Sequence, residues 1–313
     1  APYHDLSFYT LRCILNAFYC SSAAIASAAI FATVKAQSTP GHQMPKYRLS
    51  DASRPFTRQR NGEKYSLHLR QIIATHDFAD VQAGTPGGWI DDERALCQEG
   101  RCWIYDRNSI VFGGAIIRGD ARLTGPCEIS NGAIIEGAAW IEESRIGEGA
   151  QIGDNVTVKN SDVRGECRLS GDAQVLEHSQ IVGMRGLTQD DTQRLQIYDR
   201  AVVIDSRVVH QAQIYGDAVV RMAFIEHRAE VSGFARLEGN ALNNVWVCDC
   251  AKVYGHARLL AGEEEDAIPT LRYSAEVAGY ATVEGNCVLR HHVRVGGHAY
   301  LCGGPLLLDN NVL

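Results

Sequence analysis

Clusters of positive charge are missing from this sequence: its 30 Lys and Arg are scattered, and 37 Asp and Glu bring the formal charge to -7. A protein that tracks a phosphate backbone needs grouped cations, so nucleic acid is excluded as an expected partner. A phosphate-cradling Gly-rich loop is also absent, because many of the 30 glycines are turn residues of a six-residue repeat. Methionine is scarce, with three in the chain, and the first is Met44. Residues 13–34 carry no charge at all, yet Asn16, Ser21, Ser22, Ser27 and Thr33 interrupt them and Arg12 alone supplies a positive flank. That is a weak membrane span. The run ends near Val34, Lys35 and Ala36, a poor match to a signal-peptide cleavage site. We therefore read Met44 as the natural start, which leaves residues 1–43 as a non-native or signal-like extension within an N-terminal segment 1–45, with no membrane contact expected.

Ten cysteines would suit a disulfide framework, but their positions argue otherwise. Cys127, Cys167 and Cys287 fill places taken elsewhere by Ala, so they behave as small buried hydrophobes in a reducing cytoplasm. Cys248 and Cys250 form a CxC with no second pair at zinc-finger spacing, and no bound metal is expected.

Residues 46–102 show no six-residue period. Within them, residues 54–60 and 63–74 flank Asn61 and Gly62, a dipeptide suited to the positive φ angles of a tight hairpin. This predicts a β-rich capping module. From Ile104 onward a different order appears: an aliphatic residue opens each unit and a small residue stands fifth, as in IRGDAR, LTGPCE, IYGDAV, VSGFAR, VYGHAR and VAGYAT. Of 22 six-residue units, 16 have Ala in the fifth place, three Cys, two Val and one Ser. Alternating large and small inward groups fill a narrow triangular core, so residues 103–313 are read as an all-β parallel solenoid of about ten coils. Four five-residue units begin at Ile141, Val158, Val203 and Val220, two pairs each 17 residues apart, as expected for one shortened side of a three-sided coil.

Carried through, the register gives three faces: one through Val111, Val208, Ile225 and Leu289, a second through Ile117, Ile214, Val231 and Val295, and a third through Leu123, Val220, Leu237 and Leu301. Residues 182–196, 241–246 and 260–270 break the period and are expected as loops at corners, where binding usually resides. Leu307 and Leu313 continue the register and then the chain stops in mid-coil. The expectation is that the protein continues further or buries this end against a partner.

The [LIV]-[GXXX] pattern with Ala or Cys in the fifth slot resembles the hexapeptide-repeat transferase superfamily. That resemblance implies a left-handed parallel β-helix, homotrimers, and acyl transfer from acetyl-CoA or another acyl-CoA to a small molecule. More narrowly, GGWIDDERALCQEGRCWIYDRNS, HRAEVSGFARLEG and CDCAKVYGHARLLAGEEEDAIPTLRYS are similar to the YdcK-like bacterial proteins, which carry a transferase label. This similarity spans residues 44–313 and brings no assigned catalytic residues with it.

Acyl transfer to an amine or hydroxyl calls for a base near neutral pKa, most often His. His210 and His227 occupy the third slot of face-one units 17 residues apart, which stacks them at one corner, and Asp249 follows in the same column before Tyr273 and His291. We assign His227 or His210 as general base and Asp249 as the group that orients it. A second corner column runs Asp217, Phe234, His256, Tyr280 and His298, while His178, His291 and His292 lack an acidic neighbour in register. Stacked corner side chains also serve packing alone, so a non-enzymatic scaffold or binding module is the competing reading. A gamma-class carbonic anhydrase would draw zinc ligands from His210, His227, Cys248 and Asp249, but the His spacing does not match.

Overall fold

The computed structural model describes residues 44–310 apart from Asn61. Among them the hairpin expected around Asn61 and Gly62 forms from Tyr47–Arg60 and Glu63–Ala74, antiparallel along nearly its whole length. The rest is a parallel β-solenoid, whose chain turns through three sheets in order, with strands of two to five residues. The first sheet has 14 strands, the second 10 and the third 11. Two strands of the first are the hairpin, which leaves 14 − 2 = 12 in the coil stack.

The three predicted faces are these three sheets. Val208 pairs with Ile225, Ile214 with Val231, and Val220 with Leu237, each 0% exposed. The fifth-slot alanines, among them Ala212, Ala218, Ala229, Ala235, Ala251 and Ala257, are also 0% exposed. Large groups on the strands and small ones at the corners therefore fill one continuous core. Burial pushes the thiols of Cys127 and Cys167 up to about 11 and about 12, so these cysteines act as apolar filler. The eight cysteines of the described residues are all free.

Parallel pairing starts earlier than Ile104. Pro86–Ile90 pairs with the strand Ile110–Val111, and Leu96 bridges Ile117, so a first coil precedes the visible hexad and raises the count above ten. On its third-sheet strand Trp103 takes the outward place that Arg122 holds one coil on, and it is fully buried because the Phe78 ring packs against it at 5.4 Å. The hairpin covers what would be an open sheet edge, since Arg70 pairs antiparallel with Ile90. Lys46, 3% exposed, fastens the start of the hairpin by donating from Nζ to the carbonyl of Cys102 at 3.0 Å and to its Sγ at 3.2 Å.

The corner between the third and first sheets carries the five-residue units. A hydroxyl bridges the shortened turn there: Ser206 donates to the Ile204 carbonyl and accepts from the amide of Ala223, while Ser161 accepts nothing from Ser144 but donates its amide to the Ser144 hydroxyl at 3.1 Å. Two of the expected loops, 239–244 and 261–269, leave this same corner in successive coils. They are joined by Asn240 and Asn243, both of whose side-chain amides donate to the Gly262 carbonyl. The remaining loop, 184–194, leaves the corner between the first and second sheets.

The end of the chain departs from the extrapolated register. Leu289 pairs with Leu308, and Leu307 faces outward with 55% exposure, because the unit that begins at Leu301 is one residue longer than six. Leu313 lies outside the described residues, as do residues 1–43 with their uncharged stretch. Among the described residues no helix is long and apolar enough to cross a membrane.

Candidate active site at the corner of the first and second sheets

His210, His227, Asp249, Tyr273 and His291 sit one above another, each in the third place of a first-sheet unit. Each has a left-handed backbone, with φ of 66, 58, 59, 57 and 58°. Glycine fills the equivalent place at the next corner, where it is required: Gly233 has φ of 69°, and a Cβ there would lie 3.0 Å from the Gly255 nitrogen. A side chain in this region costs roughly 1–2 kcal/mol, which Asp, Asn and His offset by bonding locally. Here the offset is a ladder. The amide of His227 donates to Nδ1 of His210 at 3.2 Å, that of Asp249 to Nδ1 of His227 at 3.4 Å, and that of Tyr273 to Oδ2 of Asp249 at 3.0 Å. Asp199 takes the amide of Gly216 in the same way, so histidine here does a task that aspartate does elsewhere.

The structure thus brings His210, His227 and Asp249 together. The two imidazoles stack with centroids 4.8 Å apart and planes inclined by 11°. Their hydrogen bonds separate their chemistry. Nδ1 of His210 accepts an amide, so the ring proton is on Nε2, and burial followed by the neighbouring His227 lowers its pKa below the usual 6.5. His210 is a neutral ring that presents a donor outward. His227 is held more loosely, because its Nδ1 also stands 3.5 Å from Oδ1 of Asp249. Moving the ring proton to Nδ1, so that it faces that carboxylate, gives up the Asp249 amide rung and frees Nε2 as a base on a side chain 52% exposed.

Loop 184–194 forms a wall beside this corner. Met184 donates its amide to the His210 carbonyl, Gln193 and Gln211 exchange side-chain to carbonyl hydrogen bonds, and Asp191 pairs with Arg228 at 2.9 Å. The Gln211 amide, with Arg228 adding to it, holds the Asp191 carboxyl below the usual carboxylate range.

The zinc-ligand alternative is not assembled. Lone pairs of imidazole lie in the ring plane, so two nearly parallel rings present them side by side rather than converging on one ion. Among the described residues no group of three or more His, Cys, Asp or Glu could hold a metal ion.

Other histidines are placed as follows. His256 stacks between Phe234 and Tyr280 at 4.7 Å on each side, and Tyr280 stacks on His298 at 5.1 Å, whereas Asp217 leaves this column to bond Arg200. His178 is exposed, 3.4 Å from Asn160. His291 does have an acidic neighbour, contrary to the register expectation: its Nδ1 is 2.6 Å from Oδ1 of Asp309. The lengthened terminal unit moves Asp309 into line, pairing it with Arg290. A groove of about 470 Å³ beside the serine corner also escaped sequence reading; Arg145, Asp162 and His178 line it, and Oδ1 of Asp162 is buried there without a partner.

With this geometry in view, the chain can be compared with known proteins. It is 60% identical over 283 residues, 85% of this chain and 82% of the relative, to the "Uncharacterized acetyltransferase YdcK" of Escherichia coli (strain K12). The chain belongs to the YdcK family. The family model described as "YdcK Beta solenoid repeat" matches residues 150–166, 195–211 and 212–228. The last two segments include His210 and His227, so both histidines of the candidate corner lie within matched repeats, while Asp249 lies beyond them.

Proposed function

We propose that this YdcK-family chain is an acetyltransferase that moves an acetyl group from acetyl-CoA, or a related acyl group from its acyl-CoA, to an amine or hydroxyl of a small molecule. The observation that carries the reading is the 60% identity, over most of both chains, to a relative whose name is that of an acetyltransferase. The corner geometry supports a division of labour. His227 acts as general base from Nε2, and Asp249 holds the opposite ring nitrogen in the productive tautomer. His210, stacked against it and protonated on Nε2, donates to the thioester carbonyl oxygen as negative charge builds there. The acceptor attacks the carbonyl carbon and its proton passes to His227; the C–S bond then breaks, and His227 returns that proton to the leaving sulfur, so that CoA departs as the thiol.

A homotrimer in the cytoplasm belongs to the same reading, with the exposed corner completed by a neighbouring copy. Incubation with acetyl-CoA and a panel of amines and sugars, with release of free thiol followed, tests the function. Light scattering tests the trimer. One observation favours a second reading: the two histidines repeat the ladder role that Asp199 performs with Gly216. A non-enzymatic scaffold would use them for that alone, and it predicts neither thiol release nor CoA binding.

A further inference from the structure

On most of the solenoid a cation faces an acid one coil away, as in Arg118 with Glu136, Lys159 with Glu142, Arg200 with Asp217, Lys252 with Glu230 and Arg294 with Glu276. This keeps like charges apart in ladders that would otherwise align them. The third sheet breaks the rule at one place. Arg236 pairs in register with Arg258, which sets two exposed guanidinium stems about 4.8 Å apart. Neither makes an ion pair among the described residues, and the flanking partners in their column are Val219 and Thr282, which carry no charge.

The pair borders a groove of about 570 Å³. Its far wall is the ring column of Phe234, His256 and Tyr280, whose faces are stacked on one another so that edges point into the groove. Ring edges carry the positive end of the aromatic quadrupole. One carboxylate, Glu238, lines it, and that residue is in register with Arg221, another exposed cation. Two exposed arginines on adjacent strands, beside the edges of an aromatic column, match an anion with oxygens on two linked centres. We propose that this groove holds the diphosphate group of a substrate.

Acetyl transfer offers two sources of that chemistry, the diphosphate of CoA and that of a nucleotide-sugar acceptor. The choice between them rests on the acetyltransferase reading, whereas the anion site does not. Calorimetric titration of the full chain with inorganic diphosphate, CoA, a uridine diphosphate sugar and phosphate-free pantetheine tests it, against R236Q, R258Q and the double variant. Both side chains are at the surface, so the variants fold, as circular dichroism will verify. Diphosphate is expected to bind, about tenfold more weakly for each arginine removed, and more weakly with added salt. Whichever of CoA and the nucleotide sugar loses affinity in step names the source, and pantetheine binding should not change.

No binding of inorganic diphosphate, or equal binding by the double variant, overturns the site. Normal CoA binding and thiol release by the full chain, with diphosphate either unbound there or bound equally by the double variant, would remove this inference and leave acetyl transfer standing. Arginine-dependent diphosphate binding without any acetyl transfer would do the reverse.

Discussion

Replacing His227 by Asn separates the two tasks that this residue can perform. Asparagine tolerates the left-handed backbone of φ 58° and carries an oxygen where the imidazole has Nδ1, so it can still accept the Asp249 amide. It has no titratable base. His227→Asn is therefore expected to keep stability within about 0.5 kcal/mol while acetyl transfer falls about 10²- to 10⁴-fold. His227→Ala loses both supports. The left-handed penalty of about 1–2 kcal/mol is then not offset, and a hydrogen bond as long as 3.4 Å adds little, at most about 0.5 kcal/mol. Its expected cost is about 2 kcal/mol. Urea unfolding gives the stabilities, hydrogen exchange at the Asp249 amide reports the local rung, and thiol release gives the rate. If His227→Asn transfers acetyl groups within tenfold of the parent, the base assignment is wrong and the residue is structural.

Ser206→Ala removes the acceptor of the buried Ala223 amide and should cost about 1–3 kcal/mol in urea unfolding; a change below 0.5 would refute the hydroxyl bridge. The pKa of His210 is lowered in the folded state, so the unfolded chain binds the extra proton. The stability due to this group is complete above 6.5 and declines as pH falls below that value, and His210→Asn should flatten this slope in denaturation measured from pH 8 to 5. Maleimide should label the exposed Cys250 and Cys302 in the native protein and reach Cys127 and Cys167 only on unfolding, as peptide mass mapping would detect.

The coil path was legible because core filling repeats along the sequence: Val208, Ala212 and Ile214 stand where the hexad requires large and small groups, and all are fully buried. The first coil was not, since its aliphatic residues Ile90, Leu96 and Ile104 align with Val111, Ile117 and Leu123 but are unevenly spaced along the chain, so no six-residue period shows. The corner column could be foreseen from a spacing of 17, because stacking follows from register alone. Which nitrogen of each imidazole is engaged could not, for it depends on a few tenths of an ångström between an amide and a carboxylate. The pairing of His291 with Asp309 was hidden by the extra residue in the final unit, which shifts every later side chain by one place.

Loops 239–244 and 261–269 share a corner and share their hydrogen bonds, through Asn240 and Asn243 to Gly262 and Glu264. Two insertions that look separate on paper are thus a single structural unit. Trimming either one would strand polar groups on the other, so in descendants of this chain the pair should lengthen, shrink or vanish together.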